Sequence, residues 1–328
     1  MSVLVTGSAG HLGEALMRHF KATGLSAIGL DIKASTYTDV VGSIADKALV
    51  RDLMREVSVV LNTATLHKPH VVTHGPYAFV ETNVTGTLNL LEAAREAAVN
   101  RFVYTSTTSV FGDALRPPTT EPAAWVTEAV EPIPKNIYGV TKRAAEDLCL
   151  LYSRKFGVNC AILRTSRFFP EDDDNKETRD QFNSLNAKVN ELLYRRVELD
   201  DVVRAHSLAM DYVTTKPFDR FIISATSPFN KEDCPQLRNN AQKVIERYVP
   251  QMREIYERHA WSMFAGLDRV YINQHAREAL GWEPEYSFER AILCVDKGED
   301  PRGPLAQAVG SKGYHDEVFE DGPFPVAP

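Results

Sequence analysis

The chain has 328 residues, of which 44% are hydrophobic and 25% are charged, and 37 Lys and Arg against 44 Asp and Glu give a net charge of -7. This length corresponds to about two domains at roughly 150 residues each, and the composition excludes a collagen, a disulfide-rich module and a membrane protein. The acidic balance argues against a nucleic-acid binder, which normally carries a basic patch.

Four cysteines are spread along the chain without a Cys-x-x-Cys pair. This spacing favours reduced, buried thiols over a zinc site or a disulfide framework. The N-terminus enters an apolar strand directly, and no later run reaches the roughly 20 apolar residues of a membrane span. We therefore expect a cytoplasmic protein with no membrane partner.

Short β-branched runs alternate with longer helical patterns from residue 3 to about residue 164, as in a parallel sheet covered by helices. The predicted strands are Val3–Thr6, Ala27–Ile32, Asp39–Gly42, Val57–Asn62, Arg101–Thr105 and Asn159–Arg164. The predicted helices are Leu12–Thr23, Lys47–Val57, Phe79–Ala98 and Ile137–Phe156. The pattern predicts an α/β fold with a doubly wound (Rossmann) parallel sheet.

This alternation of predicted strands and helices ends after Arg164. An acidic loop at Glu171–Arg179 is followed by a short strand and a helix within Glu191–Ala209, and then by a charge-rich amphipathic pattern at Pro235–Trp261. We predict a dinucleotide-binding Rossmann domain at 1–164, to which 197–225 return. Residues 165–196 and 226–300 would form a smaller, discontinuous substrate-binding lobe, and 301–328 a tail.

A glycine-rich turn follows the first strand and opens a helix, with Gly7, Gly10 and Gly13 in the spacing Gly-x-x-Gly-x-x-Gly. Glycines let the backbone approach a pyrophosphate, and the helix N-terminus then holds the anion. We therefore predict a dinucleotide site that includes His11 and Leu12. The alternative is a glycine-rich turn without a ligand.

Asp31 ends the second strand, where a carboxylate can accept hydrogen bonds from the adenosine ribose and would repel the extra phosphate of NADP. This position favours NAD, although the nearby Lys33 leaves NADP open. Ser43 and Ile44 follow the third strand and are predicted to line the adenine.

Tyr138 and Lys142 stand four residues apart in a predicted helix, which places both side chains on one face. A phenol has a pKa near 10, and a neighbouring ammonium lowers it, so that the tyrosine can act as a general base. The strand end around Thr107 is rich in hydroxyls and faces the crevice where ligands bind. We predict that Thr107 binds the reacting oxygen beside Tyr138.

Together these features resemble the extended short-chain dehydrogenase/reductase family, which includes NAD-dependent sugar epimerases and dehydratases. The resemblance covers about the first 295 residues and includes the stretches 83–94, 199–202 and 280–284. It implies that Tyr138 is the general base, that Lys142 binds ribose and lowers the tyrosine pKa, and that Thr107 completes the triad. It also implies that Asn83 supports the active-site backbone.

The same resemblance places Asn62, Ala64 and Thr105 beside the cofactor. It further implies a homodimer joined through the Phe79–Ala98 and Ile137–Phe156 helices.

Two positions after Thr107 distinguish reactions within the family. Dehydratases have an Asp-Glu pair there and decarboxylases a Glu, whereas this chain has Thr108 and Ser109, neither of which is a useful acid. Dehydration and decarboxylation are therefore disfavoured. Thr108 is predicted to contact substrate.

The diphosphate contacts of nucleotide-sugar epimerases are missing or moved. Arg167 stands where those enzymes have an asparagine, and Tyr194 and Phe264 stand where they have arginines. Other arginines are candidates to substitute for these contacts, namely Arg195, Arg196 and Arg269.

The Phe169-Pro170-Glu171 run also resembles uronate dehydrogenases, so Arg167 is a candidate partner for a substrate carboxylate. The alternative is that Arg167 folds onto the acidic Asp172–Asp174 loop. His67, His70 and His74 follow the fourth strand; we expect His67 to contact substrate, and we expect no metal site at the histidines or the aspartates.

The sequence therefore indicates an NAD-dependent oxidoreductase that transfers hydride at a secondary alcohol of a small carbohydrate-like substrate. The alternatives are a nucleotide-sugar epimerase and a non-catalytic NAD-binding scaffold.

Overall fold

A computed structural model describes residues 2–118, 120–313, 315 and 319. Seven strands form a central sheet in which every neighbouring pair is parallel, in the order β3-β2-β1-β4-β5-β7-β8. Two further strands, β6 and β9, pair with each other outside it. The strands are β1 Ser2–Thr6, β2 Ser26–Asp31, β3 Val40–Val41, β4 Val59–Asn62, β5 Arg101–Thr107, β6 Ala124–Val126, β7 Asn159–Thr165, β8 Phe218–Ile223 and β9 Arg269–Tyr271.

The helices of the first half are α1 His11–Thr23, α2 Lys47–Leu53, α3 Pro76–Phe79, α4 Gly86–Glu96 and α5 Ile137–Phe156. Those of the second half are α6 Lys176–Gln181, α7 Ser184–Glu191, α8 Leu199–Tyr212, α9 Cys234–Leu237, α10 Ala241–Tyr248, α11 Met252–His259, α12 Gln274–Leu280, α13 Phe288–Asp296 and α14 Pro304–Val309. A π-helical segment at Val80–Thr85 joins α3 to α4.

Helices cover both faces of the sheet. Successive side chains of a strand point to opposite faces, so each strand contributes apolar side chains to two cores. Val3 and Val5 of β1 pack in one core with α1, α8, α12 and α14, whereas Leu4 packs in the other core with α2, α4 and α5. The predicted α/β doubly wound fold is confirmed.

A separate, smaller core is built from α7, α9, α10, α11 and α13. Ala123, which immediately precedes β6, belongs to this core, although the chain around it lies between two strands of the central sheet. The smaller core thus receives one segment from the first half of the chain.

The start of α8 and the chain after α12 meet around one buried carboxylate. Asp201 of α8 accepts hydrogen bonds from the backbone nitrogens of Glu285 and Tyr286, at 2.9 and 3.0 Å. The indole of Trp282 donates to the backbone oxygen of Asp201 at 3.0 Å. These bonds tie the chain after α12 to the start of α8.

The structure contains β8, which is not among the predicted strands, and α6, which begins within the predicted acidic loop; three predicted helical patterns also have different bounds. The predicted Phe79–Ala98 helix begins earlier, at Pro76, and contains the π-helical segment. The Pro235–Trp261 pattern is divided into α9, α10 and α11, and Pro250 explains the second break because proline disfavours helical backbone in the residue before it. The helix predicted to reach Val57 ends at Leu53 and continues as a 3-10 turn.

Among the described residues, no helix is both long and apolar enough to span a lipid bilayer.

Candidate active site

One large cleft, of about 1380 Å³, lies along the carboxyl ends of the central strands. The strand order reverses between β1 and β4, and ligands of doubly wound sheets bind at such a point. Most of the predicted site residues line this cleft: Gly7, Gly10, His11, Leu12, Asp31, Ser43, Ile44, Ala64, His67, Thr105, Thr107, Thr108, Tyr138, Lys142 and Arg167. The structure therefore brings together residues that are more than 150 positions apart in the chain.

The glycine turn has the close packing that a phosphate-binding loop requires. Gly7 adopts a φ of +73°, in the left-handed region that favours glycine. A Cβ on Gly13 would lie 1.9 Å from the backbone oxygen of Gly7, so no larger residue fits there. Gly10 precedes the first residue of α1, which leaves the N-terminus of that helix directed at the cleft.

Asp31 lines the cleft at the end of β2, where two backbone nitrogens hold its carboxylate. Its Oδ2 accepts a hydrogen bond from the backbone nitrogen of Ala9 at 2.9 Å, and its Oδ1 accepts from that of Lys33 at 2.8 Å. An ionised carboxylate has about four lone-pair positions, so these two bonds leave capacity for ribose hydroxyls. The glycine turn and this carboxylate together fit a dinucleotide.

The adenine side of the cleft is shaped by Ile44. Its side chain is buried, and a Cβ on Gly86 would lie 2.5 Å from it, which shows how closely α4 approaches this wall. Ser43 lies beside it in the cleft lining. The apolar surface suits a planar base.

Asn62 and Gly13 do not line the cleft. Asn62 lies at the end of β4 and Gly13 in the first turn of α1, beneath the residues that do line it. The amide of Asn62 accepts from the Thr6 hydroxyl at 2.8 Å and donates to the Thr87 hydroxyl at 3.0 Å. These bonds link β1, β4 and α4 below the cofactor region, so Asn62 is placed to act by positioning.

Asn83 connects three parts of the site from the π-helical segment. Its Oδ1 accepts from the backbone nitrogen of Leu66 at 2.9 Å, and its Nδ2 donates to the Leu66 oxygen and to the Thr141 hydroxyl, both at 3.0 Å. The loop after β4 is thereby tied to α5 one residue from Lys142.

Tyr138 and Lys142 are both buried at the start of α5. The Lys142 ammonium donates to the backbone oxygen of Thr105 at 2.5 Å and lies 4.1 Å from the centre of the Tyr104 ring. Burial lowers the pKa of Lys142 to about 7. Burial also raises the pKa of Tyr138 to about 12, and a hydrogen bond to the Thr107 side chain acts in the opposite direction.

A second buried charge lies one helical turn after Lys142. Glu146 accepts from the Ser106 hydroxyl at 2.6 Å and forms an ion pair with Arg164 at 2.7 Å. These bonds fix α5 against the ends of β5 and β7, beside the tyrosine.

The sequence reasoning missed His206. This histidine of α8 is fully buried; its Nδ1 bonds to the Val202 oxygen and its Nε2 to the Thr105 hydroxyl, each at 2.8 Å. Because a neutral imidazole donates from one nitrogen and accepts at the other, the bond to the carbonyl makes Nε2 the acceptor. Burial lowers the pKa of His206 to about 4.

Arg167 lines the cleft, and its charge is shared with the acidic loop. It forms ion pairs with Asp173 at 3.1 Å and Asp174 at 3.5 Å, and its Nη2 donates to the Asp172 oxygen at 2.7 Å. Of the two alternatives left open by the sequence, these contacts match the arginine folded onto the loop. A substrate anion would have to share the guanidinium with these aspartates.

The positions where nucleotide-sugar epimerases have arginines are apolar here and pack together. The rings of Tyr194 and Phe264 have their centres 6.1 Å apart, and Phe264 also contacts Phe182 at 4.8 Å. Tyr194 and Phe264 both belong to the smaller hydrophobic core. They stabilise the lobe instead of presenting charge to the cleft.

The histidines after β4 pack edge-on against one another. The rings of His67 and His70 have centres 4.5 Å apart, those of His70 and His74 5.2 Å apart, and His67 stacks on Phe169 at 5.2 Å. Within residues 2–118, 120–313, 315 and 319, no group of three or more His, Cys, Asp or Glu side chains is arranged to hold a metal ion.

Comparison with known proteins places this site in a family. The sequence model of the NAD dependent epimerase/dehydratase family matches residues 3–223. The low-salt glycan biosynthesis protein Agl12 of Haloferax volcanii is 29% identical over 332 residues, which cover 90% of this chain and 98% of that protein. The dTDP-glucose 4,6-dehydratase 1 of Escherichia coli K12 is 26% identical over 334 residues, covering 89% and 91%.

Solved structures share the fold. A short-chain dehydrogenase/reductase superfamily protein from Agrobacterium tumefaciens with bound NAD superposes with a TM-score of 0.65 at 22% identity, covering 94% of this chain and 99% of that one. A UDP-galactose 4-epimerase superposes with a TM-score of 0.62 at 19% identity, covering 90% and 98%.

The chain therefore belongs to the NAD dependent epimerase/dehydratase family. It is an enzyme, and its cofactor is NAD. The alternative of a non-catalytic scaffold is thus not supported.

We predict that His206 makes stability depend on pH. The unfolded chain takes up this proton near pH 6.5 and the folded chain near pH 4, so the stabilisation is complete above pH 6.5 and is lost as the pH falls towards 4. Lowering the pH from 7 to 5 should cost about 2 kcal/mol through this group. Urea unfolding of the wild type and of His206→Gln at each pH measures the difference.

The variant should show the flatter pH dependence, whereas the surface substitution His259→Gln should keep the wild-type slope. Burial raises the pKa of Glu198 to about 7, and its opposite contribution is common to all three proteins. Equal slopes for wild type and His206→Gln would contradict the assignment.

Proposed function

We propose that this enzyme transfers hydride between NAD and a secondary alcohol of a small carbohydrate-like substrate, with Tyr138 as general base. The observation that carries the proposal is the buried Tyr138 in the cleft, hydrogen-bonded to Thr107 and one helical turn from Lys142. The Tyr138 hydroxyl can exchange a proton with a substrate oxygen, and the Thr107 hydroxyl can hold the same oxygen in place.

Each residue of this site has a distinct role in the proposed hydride transfer. When bound, NAD would supply the hydride acceptor and the positive charge of its nicotinamide ring. A positive charge on Lys142 or on the bound cofactor would oppose the effect of burial and lower the Tyr138 pKa towards the value a general base needs. Lys142 uses one donor on the Thr105 oxygen, which leaves two for ribose hydroxyls. Thr107 orients the substrate alcohol, and Tyr138 takes its proton.

The carboxylates of the cleft disfavour dehydration. Among the described residues that line it, the only carboxylic acids are Asp31 and Asp174. Asp31 lies at the ribose end. Burial alone would raise the pKa of Asp174, but the charges of Lys68 and Arg167 lower it to about 2, so it is no proton donor at neutral pH. With Thr108 and Ser109 beside Thr107, no acid is placed to expel a hydroxyl.

A small substrate is favoured over a nucleotide sugar by the aromatic pair of Tyr194 and Phe264. In place of two cations for a diphosphate, the chain has two rings packed in the core of the smaller lobe. His67 and Thr108 line the remaining space and are proposed to contact the substrate, together with Arg167 where its aspartate partners allow.

A nucleotide-sugar epimerase is the second candidate, and one observation favours it. Arg116, Lys135 and Arg269 line the far end of the cleft. Burial lowers the pKa of Lys135, as do the positive charges of Arg116, Lys68 and Arg269, so cations cluster there and suit an anionic substrate group. The names of several relatives, such as UDP-glucose 4-epimerase and dTDP-glucose 4,6-dehydratase, refer to nucleotide sugars.

Replacement of Tyr138 by Phe is predicted to lower kcat by about 100-fold to 10,000-fold, the range typical of a lost general base. Binding of NAD, measured by calorimetry, should change little because the ring remains in place. Tyr248→Phe, at an exposed tyrosine of α10 outside the cleft lining, is the matched control and should retain wild-type turnover. Full activity in the Tyr138 variant would exclude it as the base.

Product analysis separates the two candidate reactions. A dehydrogenase should produce NADH in proportion to substrate consumed when incubated with aldoses or uronic acids, which absorbance at the NADH band records. An epimerase should interconvert UDP- or dTDP-sugars with no net NADH, which chromatography of the sugars records. The second result alone would replace our first candidate.

We also propose a homodimer through the surface formed by the Pro76–Glu96 region and α5. Apolar side chains are exposed on both: Tyr77 and Val80 on the first, and Val140 and Leu151 on the second. Exposed apolar surface of this kind marks interaction sites.

Sedimentation equilibrium should therefore give twice the chain mass, and Leu151→Glu should shift the protein to a monomer because a charge would be buried in the interface. Leu293→Glu, also at an exposed leucine but on α13, should remain dimeric. A wild-type monomer would refute the proposal.

A further inference from the structure

We propose that Glu171 is a positioning residue that fixes the C-terminal segment, here defined as Ser311–Gly313 with His315 and Phe319, as an outer wall of the NAD cleft. By holding this wall in place it slows dissociation of the cofactor. The inference concerns cofactor retention and does not depend on which substrate the enzyme uses.

One carboxylate oxygen gathers donors from two distant parts of the chain. Glu171 Oε1 accepts from the His11 ring at 2.8 Å, the Ser311 hydroxyl at 2.8 Å, and the backbone nitrogens of Lys312 at 2.9 Å and Gly313 at 3.1 Å. Glu171 is buried, and hydrogen bonds to an ionised acceptor are stronger than neutral ones. The glycine turn and the C-terminal segment are thus tied to one point.

Protonation does not release this contact at physiological pH. Burial alone would raise the pKa of Glu171, but the hydrogen bond and charge of His11 and the donors of the C-terminal segment lower it to about 2. The Glu171 carboxylate is therefore ionised at neutral pH.

A second contact joins the same segment to the cofactor helix. The Lys312 ammonium lies 2.6 Å from Oε2 of Glu14 on α1, and Arg18 pairs with the other oxygen of Glu14 at 2.8 Å. The segment is therefore attached to the first turn of α1 at two residues, to His11 through Glu171 and to Glu14 through Lys312. The N-terminus of this helix is directed at the cleft.

The far end of the segment contacts the loop after β4. The His315 ring lies 5.4 Å from that of His70, its Nδ1 is 3.4 Å from the Thr73 hydroxyl, and it packs edge-on against Phe319 at 5.1 Å. His70 and Thr73 belong to the loop after β4. The segment consequently spans from the glycine turn to this loop.

The C-terminal segment forms part of the cleft lining. Lys312, Gly313, His315 and Phe319 line the same cavity as Gly10 and Tyr138. The segment lies outside residues 3–223, the part that matches the family. It therefore adds to a cofactor site that the strand ends already define.

The test uses the full-length chain and measures NAD itself, so it is independent of turnover. Glu171→Gln should raise the Kd for NAD about tenfold, since it removes a charged acceptor shared by four donors. It should also speed NADH release, followed by fluorescence, and trypsin should cut after Lys312 faster than in the wild type. Glu254→Gln, an exposed carboxylate on α11, is the matched control and should match the wild type in all three.

A double-mutant cycle separates the wall from a local effect on His11. Lys312→Ala should also raise the Kd, and because both side chains hold one segment, Glu171→Gln should cost less in the Lys312→Ala background than in the wild type. An unchanged Kd in Glu171→Gln, an equal cost in both backgrounds, or unchanged cleavage after Lys312 would overturn the proposal. A raised Kd in Glu171→Gln together with full turnover in Tyr138→Phe would instead count against the proposed function alone.

Discussion

Two buried charges on one face of α5 fix the reactive end of the molecule. Lys142 is bonded to the backbone at the end of β5, and Glu146, one turn later, is bonded to Ser106 of the same strand and paired with Arg164 of β7. A charged group buried without its partner is costly, so neither side chain can move far from the strand ends. Because Tyr138 precedes Lys142 by one turn, its position relative to Thr107 follows from these bonds.

The central sheet could be predicted because its signal is local. β-branched runs separated by helices define parallel strands, and the six predicted strands all lie in the observed sheet. The pairing of β6 with β9 could not be predicted in this way, since three-residue strands carry too little periodicity and their partners lie far apart in the chain. The smaller core could be predicted only as a lobe, because the amphipathic pattern at Pro235–Trp261 indicates helices but not the elements against which they pack.

The residues of the candidate site show the same difference between local and long-range signals. Gly7, Asp31 and Tyr138 are recognisable because each stands at a fixed offset from a strand or helix end. His206 and Glu171 carry no such offset, and each acquires its partners only when distant segments meet. The sequence also left two alternatives for Arg167, because an arginine near an acidic loop reads the same whether it faces that loop or a ligand; the ion pairs with Asp173 and Asp174 distinguish them.

The π-helical segment at Val80–Thr85 has a consequence for how this part of the chain can vary. A wide turn contains one residue more than an α-helical turn, and that extra residue rotates the following positions about the helix axis. Asn83 lies within this wide turn and its amide reaches both the loop after β4 and α5. Losing a single residue here would restore a regular helix and turn the amide away, so insertions and deletions are less tolerated at this point than in the exposed helix ends nearby.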